Sequence, residues 1–284
     1  MRSILRPSLL CVLVVALTPQ VWAEDVPNVD ARKEVLVQKL VAHGFAEEEV
    51  AAVFQDERVA LHPNIIGRSG KGINYLHPKF RLLTKESVAR GRRVIEENLE
   101  ALRKIEAWFG VEREILVGVY RLETNLGRSL GDYHVFNSLL TFAVIENRRT
   151  AWAEKEWISL MILSRKNGIA PLSIKGSWAG AFGLCQFVPS SYLQYAADGD
   201  GDGFADLFNV PDALASIASY LKANGWDKTN REKKKKALWA YNHCDSYVKA
   251  VLVYADATRS LDPLLNVKMT GCLCLSSQPA HCTD

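Results

Sequence analysis

"GVYRLETNLG", residues 118–127, sets a single carboxylate among apolar neighbours and then halts at a glycine. Ile115, Val119 and Leu122 recur at helical spacing as a stripe to be buried, and Gly127 follows as a stop signal. Glu123 lies beside that stripe, one turn from the helix end. There it is partly withdrawn from water and close to the negative end of the helix dipole. Both effects disfavour the anion and raise the carboxyl pKa, as a proton donor near neutral pH requires. The plainer alternative is a glutamate on a helix rim, exposed or paired with an arginine. The rest of the chain has to decide.

Around this stretch the sequence is helical nearly throughout. Apolar spacing predicts helices over 30–43, 47–55, 84–109, 112–126, 150–167, 210–224, 234–241 and 246–257. Between the second and third, "ALHPNIIGRSGKGINYLHPKF" (60–80) carries two prolines and three glycines and reads as an irregular crossing. No strand-period segment exceeds a few residues. With no repeat and no Pro- or Ser-rich linker, residues 24–262 read as one mainly α unit.

The ends read differently. Arg2 and Arg6 precede an apolar run, Leu9 to Leu17, and "VWA" leads into Glu24, the layout of an export signal spanning 1–23. That run falls short of the roughly 20 residues a membrane span needs, so no integral membrane segment is expected after cleavage. The formal net charge is +3, and the signal removes two arginines. The nearly neutral remainder gives no support for a nucleic-acid partner. The "REKKKK" run at 231–236 reads as a solvated helix start. Cys185, Cys244, Cys272, Cys274 and Cys282 lie beyond the signal, an odd number, so at least one thiol is left over in an oxidising compartment. Residues 263–284, with three of them, read as a tail closed by a local disulfide.

Two further pieces bear chemistry. "KGSWAGAFGLCQFVPSSY" (175–192) has glycines at 176, 180 and 183 that permit tight turns and close backbone approach. Its Gln186 offers an amide that donates and accepts, suited to sugar hydroxyls and acetamido groups; a glycine-rich packing loop is the equal alternative. "AYNHCDSYVKAVL" (240–252) sets Tyr241 and Asn242 at the end of one helix and Tyr247 near the start of the next. They suit the wall of a sugar cleft, and an ordinary core corner nearly as well.

Six segments in order resemble one family: "INY" (73–75), "LTKESVARG" (83–91), "YRLETNLG" (120–127), "NRR" (147–149), "GAFGLCQFVPSSY" (180–192) and "YNHCDSYV" (241–248). The chain is similar to the lytic murein transglycosylases of the B type from about residue 30 to 260. The resemblance implies a lysozyme-like helical catalytic core with extra N-terminal helices, and a periplasmic enzyme acting on peptidoglycan glycan strands. It implies one catalytic residue, Glu123, as acid and then base, with no catalytic cofactor. It assigns Arg148, Arg149, Ser177, Gln186, Phe187, Tyr220, Tyr241, Asn242 and Tyr247 to substrate binding. It also leaves room for cell-wall remodelling proteins as partners. Cys185 and Cys244 depart from the pattern, standing where small or polar residues are expected.

"DGDGDGFADLFN" (198–209) has its own physics. Asp198, Asp200 and Asp202 stand at loop positions one, three and five with glycine at six, the first half of an EF-hand calcium loop. The carbonyl of Phe204 takes position seven. Asn209 occupies the place of the bidentate glutamate, and Asp212 can supply the missing carboxylate, as the resemblance also implies. The expectation is a small EF-hand-like lobe within 193–232 holding a structural Ca2+. An acidic glycine turn without metal is the alternative. Two other readings of the whole chain stay open: a lysozyme-type hydrolase using Asp132 or Glu146 as second carboxylate, and a non-catalytic wall-binding protein.

Overall fold

The computed structural model describes residues 29–70 and 72–259. The export signal expected at 1–23 and the cysteine-bearing tail at 263–284 lie outside them. Among the described residues there are eleven α-helices and one two-stranded sheet, so the chain is mainly α as the sequence predicts.

Helix α5 (Arg113–Thr124) is the centre of the molecule. Its flanks are buried almost all round, from Ile115 to Arg121 and again at Thr124. It packs chiefly on α11 (Asp245–Arg259), and a glycine makes this approach close. A Cβ at Gly118 would stand 3.1 Å from Val251 O, so the helices meet backbone to backbone there. Helix α3 (Lys85–Glu97), capped by Thr84 Oγ1 accepting Ser87 N, covers the same pair.

The single helix expected over 84–109 is two. It breaks at Asn98, whose φ of −115° leaves the helical region, and α4 (Leu99–Phe109) starts anew. The Asn98 amide donates to Val94 O at 2.9 Å, a local bond that lets the backbone turn away. Helix α10 (Arg231–Tyr241) starts earlier than its apolar spacing suggests, because Asn230 Oδ1 accepts the N–H groups of Glu232 and Lys233.

Helix α6 (Val135–Val144) has no counterpart among the expected elements. All ten residues are buried, so it lacks the polar face that periodicity would reveal. Its polar side chains are used internally: Asn137 donates to Arg58 O at 2.8 Å and Thr141 Oγ1 accepts His62 N at 2.9 Å. These bonds fasten the irregular crossing onto the core. Helix α7 (Thr150–Asn167) runs beside α6, and α1 (Val29–Ala42) docks on both. Short strands β1 (Tyr133–His134) and β2 (Lys175–Gly176) pair antiparallel, with Tyr133 opposite Gly176. Helix α8 (Pro189–Tyr195) packs on α7, and after the acidic loop α9 (Val210–Ala223) packs on α4 and α5.

Candidate active site

Glu123 sits in the last turn of α5, half-buried. The Tyr247 hydroxyl, from α11, donates to Glu123 Oε1 at 2.5 Å. Burial pushes the Glu123 pKa up from an ordinary 4.5 to about 7, against the lowering effect of that hydrogen bond. No charged side chain shares in the shift. Tyr247 is itself buried, and burial followed by the neighbouring Glu123 raises its own pKa well above the usual tyrosine value. It therefore stays a proton donor to the carboxylate across the working range.

An aromatic wall holds Tyr247 in place. The Tyr241 ring lies parallel to it at 6.4 Å, and the Tyr75 ring meets it edge-on at 5.4 Å. Tyr241 donates to Cys185 O at 2.7 Å, and Asn242 donates to the Tyr75 hydroxyl at 3.4 Å. Tyr75 stacks on Phe80 at 6.0 Å, and Phe80 O accepts Arg121 Nη2 at 2.9 Å. Arg121 also donates to Ser87 Oγ at 2.9 Å. Its guanidinium, buried without an ion pair among the described residues, thus ties the irregular 73–84 segment to α5.

The end of α5 is unusual. Asn125, Leu126 and Gly127 have successive φ values of 55°, 58° and 81°, and the first two are not glycines. Such a run persists only where the surroundings hold it. Arg90 donates to both Asn125 O and Asn125 Oδ1, and Thr124 Oγ1 accepts Gly127 N at 3.1 Å. Gly127 is required because a Cβ there would meet the Tyr120 hydroxyl at 2.9 Å.

The glycine-rich stretch forms the facing turn. Gln186 has a φ of 51° and donates to Leu130 O and Gly183 O, at 3.2 and 3.0 Å. Ser177 Oγ accepts Ala181 N, closing the turn before it. Phe187 is buried against Tyr220 and Tyr241 rather than presented to a ligand, and Tyr220 donates to Ala240 O. Both support the wall from behind. Arg149 lies over Trp152 at 4.1 Å and over Phe142 at 5.0 Å, while Arg148 beside it is exposed. Glu146, one candidate for a second carboxylate, is paired with Arg32 of α1, and Asp132 is exposed.

The acidic loop joins α8 to α9. Asp198, Asp200 and Asp212 each bring an oxygen within 4.8 Å of the others, a donor set of the kind a hard cation takes. Asp202, expected as a ligand, stands outside this cluster, and its Oδ1 accepts Phe204 N at 2.8 Å. Phe204 is an exposed residue of the same turn. Asn209, which replaces the bidentate glutamate, caps α9 and donates to Asp200 Oδ2. Asp212 is buried, and its two oxygens accept Gly199 N and Asp206 N.

Sequence reasoning passed over Thr124, Tyr75, Arg121 and Glu156. Glu156 of α7 is buried and accepts Ser190 N and Oγ at 2.9 and 2.7 Å, anchoring the start of α8. Its signal was an acid within an apolar helix, which has no distinct spacing. Cys244 is disulfide-bonded and Cys185 is a buried free thiol.

Residues 28–234 match the family described as the transglycosylase SLT domain. Over 213 residues the chain is 36% identical to membrane-bound lytic murein transglycosylase B of Escherichia coli K12. That stretch is 71% of this chain and 58% of the relative, so less than two thirds of the relative's length is spanned. The fold superposes on the Escherichia coli lytic transglycosylase SLT35 in complex with calcium, with a TM-score of 0.72 at 24% identity, over 83% of this chain and 94% of that one. It superposes on SltB3 from Pseudomonas aeruginosa in complex with NAG-anhNAM-pentapeptide with a TM-score of 0.71 at 22% identity, covering 82% and 80%. At such identities the solved structures show a shared fold. The family match and the curated relative show more: the chain belongs to the transglycosylase SLT domain family.

Proposed function

We propose that the protein is a peptidoglycan lytic transglycosylase, cleaving the β-1,4 bond between N-acetylmuramic acid and N-acetylglucosamine. One observation carries the reading: a single carboxyl, Glu123, poised at a pKa of about 7 and held by a tyrosine hydroxyl, with no charged partner in its shift. Such a group can be protonated at the outset and ionised later at the same pH. Protonated Glu123 gives its proton to the glycosidic oxygen as the C1–O bond breaks. The substrate's acetamido group stabilises the cationic centre, so a second enzyme carboxylate is not needed. The Glu123 carboxylate, steadied by Tyr247, then takes the proton of the C6 hydroxyl while that oxygen bonds to C1. A 1,6-anhydro end forms, no water is consumed, and the acid is restored.

Gln186, Asn242 and the tyrosine wall would line the sugar site, and Arg148 and Arg149 would meet anionic groups of the muramic acid or its peptide. That the SltB3 structure holds an anhydro-sugar peptide supports this substrate class. Asp198, Asp200 and Asp212 would hold a structural Ca2+, consistent with the donor set and with the calcium complex of SLT35. The ion would fix the loop and take no part in the chemistry. Export to the periplasm rests on the sequence of residues 1–23 and on the substrate. Among the described residues no helix is long and apolar enough to cross a membrane.

Mass spectrometry of digested peptidoglycan tests the reaction. Anhydro ends are lighter by one water than reducing ends; digests holding only reducing ends would make the protein a hydrolase. Glu123→Gln is expected to lose turnover while keeping the fold, and a fully active variant would remove Glu123 from the mechanism.

A further inference from the structure

One peptide, that of Leu184, bonds to both the acidic loop and the helix end that bears Glu123. Its N–H donates to Leu207 O at 2.8 Å, and its carbonyl accepts Thr124 Oγ1 at 3.0 Å. Leu207 is placed in turn by a member of the acidic cluster. Asp212 Oδ2 accepts the N–H of Asp206, the residue before it, at 2.7 Å. The two backbones are pressed together, since a Cβ on Gly183 would stand 2.4 Å from Leu207 Cβ. At the far end Thr124 is fully buried, and its hydroxyl also accepts Gly127 N, holding the left-handed run that follows Glu123. The same turn continues into Cys185, whose carbonyl anchors Tyr241, and into Gln186.

We infer that Thr124 is a positioning residue for Glu123, and that the Leu184 peptide couples order in the acidic loop to the geometry of the catalytic carboxyl. The inference rests on the proposed reading of Glu123 as acid and base and of Asp198, Asp200 and Asp212 as cation ligands. A cation that fixes Asp212 fixes Asp206 and Leu207, and through Leu184 the turn facing Glu123. Packed, hydrogen-bonded contacts of this kind have few intermediate arrangements, so restraint at one end is felt at the other. Coupling is reciprocal: a glycan fragment that needs the ordered turn must tighten cation binding by the same factor as the cation tightens fragment binding.

The test uses Glu123→Gln protein, so that the fragment is not turned over. Calcium chloride is titrated calorimetrically without and with saturating NAG-NAM-pentapeptide. The calcium Kd is expected to fall about five-fold or more when the fragment is bound. Adding Thr124→Val should leave the fragment-free calcium Kd in place and remove the gain, whereas Thr124→Ser, which keeps the hydroxyl, should restore it. A calcium Kd indifferent to bound fragment overturns the coupling and leaves the proposed function standing. Full coupling in Thr124→Val overturns the assignment of Thr124. Failure of the fragment to bind at all overturns the proposed function and this inference together, and failure of calcium to bind overturns the inference and the proposed cation site while leaving the proposed reaction standing. Should Thr124→Val not fold, the titrations of Glu123→Gln still decide the coupling.

Discussion

The carboxyl of Glu123 has one neighbour that favours its charged form, the Tyr247 hydroxyl, and surroundings that oppose it. In the proposed reaction its first step needs the protonated acid, so kcat/KM is expected to be level at low pH and to fall as pH rises through about 7. The clearing of suspended peptidoglycan across pH measures this. Tyr247→Phe removes the stabilising donor, which moves the falling limb to higher pH. It should also lower turnover about 10- to 100-fold, the worth of a hydrogen bond to a charged group. Linkage gives an independent sign. A carboxyl whose folded pKa is raised adds stability at low pH, and that contribution is lost as pH rises from 4.5 through about 7. Glu123→Gln should therefore melt above the native protein at pH 8 and level with it near pH 4. Glu123 was legible in the sequence because an apolar stripe and a glycine frame it locally. Its partners were not: Tyr247 lies 124 residues away and entered only by resemblance, and Thr124 reads as an ordinary helical threonine.

Among the elements, most amphipathic helices were legible to within a residue or two, as at Thr150–Asn167, where Gly168 at a φ of 64° ends the run, while α10 starts three residues before its expected 234. Helix α6 escaped because burial on every side erases the period that marks a helix. The break at Asn98 escaped because the apolar spacing runs straight through it. Packing on every side hid the first, and a local side-chain bond to Val94 O accompanies the second. The glycine turn was legible as a turn, though its purpose needed the structure. Gly183 has a φ of 75° and no room for a Cβ against Leu207. Gly183→Ala is expected to destabilise the protein by about 2 kcal/mol or more through strain and displacement of the loop. Denaturant unfolding measures the loss.

For the whole molecule, the acidic loop is the part whose chemistry was half legible. Alternating aspartates suggested a cation site, and Asp212, named from beyond the loop, lies within 4.8 Å of Asp198 and Asp200. Asp202, expected as a ligand from its loop position, lies outside the cluster of Asp198, Asp200 and Asp212, and its Oδ1 accepts Phe204 N. If Ca2+ binds the folded form only, a calcium level about 100-fold above Kd stabilises by about 2.7 kcal/mol. Chelation is then expected to lower the melting temperature by about 5–10 °C for a chain of this size. Calorimetry with and without chelator checks it; an unchanged transition would leave the acidic turn a local brace. The N-terminal helices are held differently. Arg165 of α7 donates to Gly44 O and pairs with Glu49 of α2 (Glu47–Phe54), with its guanidinium over the Phe45 ring. These contacts lie in the last turn of α7 and involve neither α5 nor α11, so loosening of that edge should leave the Glu123 site intact.

Cys185 gives this architecture a built-in reporter. Its thiol is wholly enclosed, and burial pushes its pKa up, so in the closed protein it is both unreachable and un-ionised. An alkylating reagent can reach it only when the packing around it, including Tyr241 bonded to its carbonyl, opens. The rate of labelling at that one sulfur, read by peptide mass, would time the breathing of the sugar site without any sugar present.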